Sequence, residues 1–129
     1  ELVKNGINSF ISSYGVGVGA GGSQAIQEKL GGVDGRFTSM HNFWVEILVE
    51  GGFIFFIIFI TWYASITFKL FKICRGIDKQ ISVSATIIFL SMVGFIPACI
   101  AASSTIYFFP MWIMFGLAIS IININNQLS

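Results

Sequence analysis

The sequence predicts an all-α, polytopic integral membrane protein: three transmembrane helices, preceded by an extracytoplasmic loop that carries short helices. Three observations lead there. Hydrophobic residues make up 55% of the 129, mean hydropathy is +0.84, and seven basic plus six acidic side chains cannot form the polar shell of a soluble domain this long. From Gln80 to Ser129 there is no Asp, Glu, Lys or Arg, and these 50 residues hold two stretches of about 20, the length that crosses a bilayer core. Finally, Lys69, Lys72, Arg75 and Lys79 crowd into eleven positions against one acid, Asp78, the charge pattern of a cytoplasmic loop.

The same composition excludes some functions. A formal net charge of +1 with no basic stripe gives no field that would gather nucleic acid. Cys74 sits between Lys72 and Arg75 and Cys99 lies in an apolar run, so a membrane would separate them. A disulfide is therefore not expected, and neither cysteine has metal-ligand spacing. The chain opens with Glu1 and shows no signal peptide, and three spans are few for a catalytic membrane protein. It therefore reads as the C-terminal piece of a longer chain.

Residues 1–50 form the expected extracytoplasmic region and residues 51–129 the membrane domain. Leu2, Ile7, Phe10 and Ile11 recur at helical spacing, with Lys4, Asn5, Asn8 and Ser12 off that stripe, which predicts an amphipathic helix of about three turns. The run Tyr14–Gly22 follows, and its five glycines in eight residues forbid a stable helix. Ser23 is positioned to cap a short helix through Leu30, ended by Gly31-Gly32. After a turn at Val33-Asp34-Gly35, Ser39 is the expected N-cap of a helix that starts at Met40 and continues into the first span, residues 51–68.

The second span is expected over 83–102, with a kink at Pro97, and the third over 106–122. Pro110 fits either a first-turn proline or a second kink. The tail with Asn123, Asn125, Asn126 and Gln127 suits a cytoplasmic interface. The basic loop orients the first span outside to inside. Trp62 and Tyr63 fall short of the basic flank, so packing against helices beyond these residues is expected of them rather than interfacial anchoring.

Two segments carry candidate chemistry. Gly17, Gly19 and Gly22 spell G-x-G-x-x-G, but a dinucleotide site needs a buried strand before it within a βαβ unit, and here a helix precedes and membrane spans follow. No Gly-Lys-Ser/Thr follows either. What remains is a loop whose backbone can approach a ligand or the bilayer closely, or a passive surface loop. The second segment is His41-Asn42. On a helix capped by Ser39, His41 would sit in the first turn, where amide groups and the helix dipole favour an anion. A histidine there can donate to phosphate or act as a general base. The plain alternative is an interfacial helix whose polar residues meet lipid headgroups. Glu46 and Glu50 repel at i,i+4 unless they face water or one of them meets a cation.

The order Gly15-Val-Gly-Val-Gly19, then His41-Asn42-x9-Gly52 leading into a Phe/Ile-rich span, then a basic inner loop and an outer link at Ser103-Ser104-Thr105, resembles the C-terminal region of the O-antigen ligase and O-antigen polymerase-like family, which includes capsular and teichuronic-acid-type polymerases. The likeness runs over nearly the whole chain. It implies metal-independent glycosyl transfer, without a cofactor, from a polyprenyl-diphosphate-linked saccharide to a glycan acceptor in the bacterial cytoplasmic membrane. Other polysaccharide-assembly membrane proteins are implied as partners. By this resemblance His41 is the catalytic position. Asn42, Gly15, Gly17 and Gly19 bind substrate, and Arg36 is a further phosphate contact. Phe55, three after Gly52, departs from the small residue or Tyr more usual in ligases and favours a polymerase. The family's Arg near the start of the helix before the glycine run would fall at or before Glu1. The rival reading is a non-enzymatic transporter or flippase of lipid-linked oligosaccharide. That class places ionisable groups inside its spans near the midplane, and none stands in the three spans here.

Overall fold

A computed structural model describes residues 2–29, 42–100 and 109–128. Among the described residues it is all-helical: α1 (Leu2–Ser12), α2 (Gly22–Lys29), α3 (Phe43–Ile73), α4 (Lys79–Ala98) and α5 (Phe109–Leu128). Helices α3, α4 and α5 are each long and apolar enough to cross a membrane, as expected of the class. The described residues form two compact units, one holding everything up to Ile60 together with Cys99 and Ile100, the other running from Thr61 to Ala98 and including α5.

In the first unit, α1 forms where the apolar stripe predicts it. Its end is a Schellman motif: the Tyr14 amide bonds the Ile11 carbonyl at 3.0 Å and the Gly15 amide bonds the Phe10 carbonyl at 3.1 Å. The left-handed position of that motif usually holds glycine. Here it holds Tyr14, at φ 56, which costs roughly 1 kcal/mol. Helix α2 begins at Gly22, so Ser23 lies inside it and directs its hydroxyl elsewhere.

Helix α3 starts later than the sequence suggested. Asn42 is outside the helix, and its Oδ1 accepts the Val45 amide at 3.2 Å, so Asn42 is the N-cap. Ser39 and Met40, expected to open this helix, lie outside the described residues. Phe43, 1% exposed, begins α3, and its amide bonds the Cys99 carbonyl at 3.1 Å.

The second unit is built on aromatic packing. Tyr63 is 5% exposed. Its hydroxyl donates to the Met92 carbonyl and its ring stacks on Phe95. Trp62 meets Phe115 edge-on at 5.0 Å. Trp62 and Tyr63 therefore pack against other helices, as expected, but these include helices of this same chain, because Phe95 and Phe115 supply matching rings. Between α3 and α4 a tight turn is held by the Ser82 hydroxyl on the Cys74 carbonyl at 2.6 Å and by Asp78, whose Oδ1 caps the Gln80 and Ile81 amides. Lys72 and Arg75 lie over the rings of Phe68 and Phe71.

Pro97 falls in the last turn of α4, where it ends the helix at Ala98 instead of kinking its middle. Pro110 is in the first turn of α5, where its missing amide costs nothing. The Asn-rich stretch that looked like a tail is helical through Leu128. Hydroxyls within the helices are satisfied locally: Thr67, Thr86 and Ser91 each donate to the carbonyl four residues earlier. The outward surface is apolar, with Ile87, Leu90, Ile113 and Leu117 all 47–61% exposed, a face suited to lipid or to neighbouring helices.

Candidate functional site

The glycine run joins α1 to α2 and folds onto a break in α3. In an unbroken helix the Phe53 amide would bond the Val49 carbonyl and the Ile54 amide the Glu50 carbonyl. Gly52, at φ 80 and ψ 173, pulls these groups out of line. The loop supplies replacements. Val18 donates to the Val49 carbonyl at 2.9 Å, Gly19 donates to the Glu50 carbonyl at 3.1 Å, and Phe53 donates to the Gly15 carbonyl at 2.9 Å. The Val49 and Glu50 carbonyls and the Phe53 amide, freed by the break, thus find partners, as burial in or beside a membrane demands.

This clasp explains the glycines unequally. Gly17 has φ 93, and a Cβ there would lie 2.5 Å from the Glu50 carbonyl oxygen and 2.6 Å from the Gly52 amide nitrogen. A Cβ on Gly52 would collide with the carbonyl of Val16. Gly19, at φ 85, faces open space, and Gly15, at φ 78, rests on the Phe10 ring. Of the three glycines singled out in sequence, only Gly17 approaches the α3 backbone too closely for a Cβ, while a Cβ on Gly15 would meet the Phe10 ring at an ordinary 3.5 Å and one on Gly19 would meet nothing within 4 Å.

Polar side chains gather at the same junction. The Ser23 hydroxyl donates to Glu50 Oε1 at 2.5 Å, and Ser23 is 6% exposed. Gln27, 1% exposed, accepts from the Asn5 amide at 3.3 Å. Glu46 Oε2 is shielded from solvent. Glu50 thus meets a hydroxyl from α2. On the other side of the loop, Phe10, Tyr14, Gly15, Val16, Gly51, Phe53 and Ile54 line a hollow of about 440 Å³.

Asn42 stands at the start of α3 with its side-chain oxygen used by the cap. The first-turn amides of Phe43 and Val45 are taken by the Cys99 carbonyl and by Asn42. An anion at this helix start would therefore depend on side chains more than on these two amides. His41 and Arg36 lie outside the described residues. The structure brings Gly15, Gly17 and Gly19 together with Gly52. It adds Ser23, Gln27 and Glu50, none of which sequence reasoning assigned to the site. The available signal was Gly51-Gly52, a glycine pair inside a helical pattern.

Over 126 residues the chain is 30% identical to the teichuronic acid biosynthesis protein TuaE of Bacillus subtilis (strain 168). The match covers 96% of this chain and 26% of that protein, so the chain spans about a quarter of the length of the curated relative it matches. The similarity thus runs through the clasp and the spans alike. No protein-family model matches the chain, and no solved structure matches it significantly.

Proposed function

We propose that the chain is part of a membrane glycosyltransferase of bacterial cell-envelope polysaccharide assembly, of polymerase or ligase type. It would move a saccharide from a polyprenyl-diphosphate carrier to a hydroxyl of a glycan acceptor. The observation that carries this reading is the similarity, along 96% of the chain, to a protein named for teichuronic acid biosynthesis. The His41-Asn42 pair, the glycine run and the basic loop after the first span, in that order, support it.

The chemical demand is to stabilise a departing diphosphate while an acceptor hydroxyl loses its proton. Arg36 and His41 are the side chains assigned to the diphosphate, and His41 is also suited to take the hydroxyl proton near neutral pH. Asn42 follows directly, fixed at the helix start, to orient the sugar or the histidine. Gly15, Gly17 and Gly19 serve the site through the clasp, which holds the loop at a fixed place on α3. No step requires a metal. The charge pattern around Lys69–Lys79 places residues 1–50 outside the cytoplasmic membrane in this reading.

The test is His41→Ala in the full-length protein. Long-chain polymer should disappear and lipid-linked repeat units accumulate, with the membrane level of the protein unchanged. His41→Gln keeps a donor without a base: residual activity would assign phosphate binding, and loss equal to Ala would assign proton transfer. Unchanged chain length and yield in His41→Ala would refute both roles.

A further inference from the structure

We infer that the end of α1 and the Tyr14–Val16 turn form a membrane-interface anchor, with Ile11, Tyr14 and Val16 seated among lipid headgroups and the first acyl carbons. The inference starts from a residue the fold does not need. Tyr14 occupies the left-handed position of the Schellman motif at φ 56, a conformation glycine adopts freely, and its side chain is 97% exposed. Its backbone makes the motif, but its ring adds no burial. A tyrosine kept in such a place gains its stabilisation from surroundings outside the fold.

The neighbouring surface names those surroundings. Val16 is 77% exposed and Ile11 65% exposed. Tyr14 and Val16 share one hollow with Phe53 and Ile54, which begin the stretch of α3 after the break and are themselves 57% and 77% exposed. The exposed apolar surface therefore passes from the turn onto a membrane-crossing helix without interruption. Lipid that covers Phe53 and Ile54 would reach Tyr14 and Val16. A tyrosine with an apolar ring and a polar tip suits that depth. Along α1, Lys4, Asn8 and Ser12 are exposed beside Ile11, so the helix offers headgroups a polar flank next to its apolar one.

The experiment uses the full-length protein with its native cysteines replaced, in liposomes of phosphatidylglycerol and phosphatidylethanolamine. A spin label is placed at Tyr14→Cys, Val16→Cys or Asn8→Cys. Collision with oxygen, which partitions into lipid, should exceed collision with a water-soluble nickel chelate at 14 and 16, and the order should reverse at 8. Dominant nickel access at 14 and 16 would place the turn in water and overturn the anchor. Low access to both reagents would mean that another protein segment covers it, which also overturns it. Tyr14→Gly separates anchoring from folding, because it relieves the left-handed strain. Thermal stability in detergent should hold or rise, while a label at 16 should lose several-fold in its oxygen-to-nickel ratio. An unchanged ratio would remove Tyr14 from the anchor.

Discussion

Phe53 donates its backbone amide to the carbonyl of Gly15, a loop residue far upstream, although Phe53 stands inside a helix. A buried amide left without a partner costs about 1–3 kcal/mol, and so does a buried carbonyl. Because the loop returns a bond to Phe53, to Val49 and to Glu50, the break at Gly52 is tolerated only while the loop is docked. The loop and the break stand or fall together.

Gly17 and Gly19 should therefore respond differently to the same substitution. Gly17→Ala adds a Cβ against the Glu50 carbonyl and the Gly52 amide on top of an unfavourable φ, and is expected to cost about 3 kcal/mol. Gly19→Ala meets nothing within 4 Å and bears only the φ penalty, about 1 kcal/mol. Thermal midpoints of the detergent-solubilised full-length protein compare the two, and equal losses would show that the clasp is not the constraint.

Asn42 combines a structural task with a proposed one. Asn42→Ala should cost about 1 kcal/mol through the lost cap. Asn42→Asp keeps the cap and suits the helix dipole, so stability should hold. On the proposed function polymer yield should still fall, since a carboxylate would replace an amide donor beside the proposed diphosphate. Full yield from Asn42→Asp would reduce Asn42 to a cap.

Tyr63→Phe deletes the bond to the Met92 carbonyl and keeps the ring packing with Phe95 and Phe115. A loss of about 0.5–1.5 kcal/mol in stability is expected, with polymer chain length unaffected. A change in chain length at full stability would tie this packing to substrate handling.

Orientation is open to direct labelling. An impermeant thiol reagent applied to intact cells should mark Ala25→Cys, on the exposed side of α2, and leave Cys74 unmarked. The opposite result would invert the protein in the membrane.

The spans were legible because their signal is local: the absence of charge after Lys79, and a basic cluster before it. The same holds for α1, whose stripe of Ile7, Phe10 and Ile11 is complete within three turns. The start of α3 was missed because Ser39 and Asn42 are both good caps, and the choice depends on where the backbone turns helical. The in-chain packing of Trp62 and Tyr63 depends on Phe115 and Phe95, partners remote in sequence. The clasp was the least legible part. Gly15 and Gly17 read as a loop able to approach a ligand or the bilayer, or as a passive surface loop, and Gly52 as the motif position leading into the span, whereas only their meeting shows what each does for the other. Of the candidate site, the glycines and Asn42 have a geometric account, whereas Arg36 and His41 rest on sequence.

The docked loop also has a consequence for how such chains diversify. Gly15–Gly19 and Val49–Phe53 are held to each other atom by atom, so inserting or deleting a single residue in either would shift every bond of the set. The stretch from Lys29 to Asn42 begins and ends on helices that are already fixed. Lengthening a connection between fixed points costs only about 0.6 kcal/mol per doubling. Relatives should therefore keep the two bonded segments at constant length and place their insertions between them, where added length leaves the frame undisturbed.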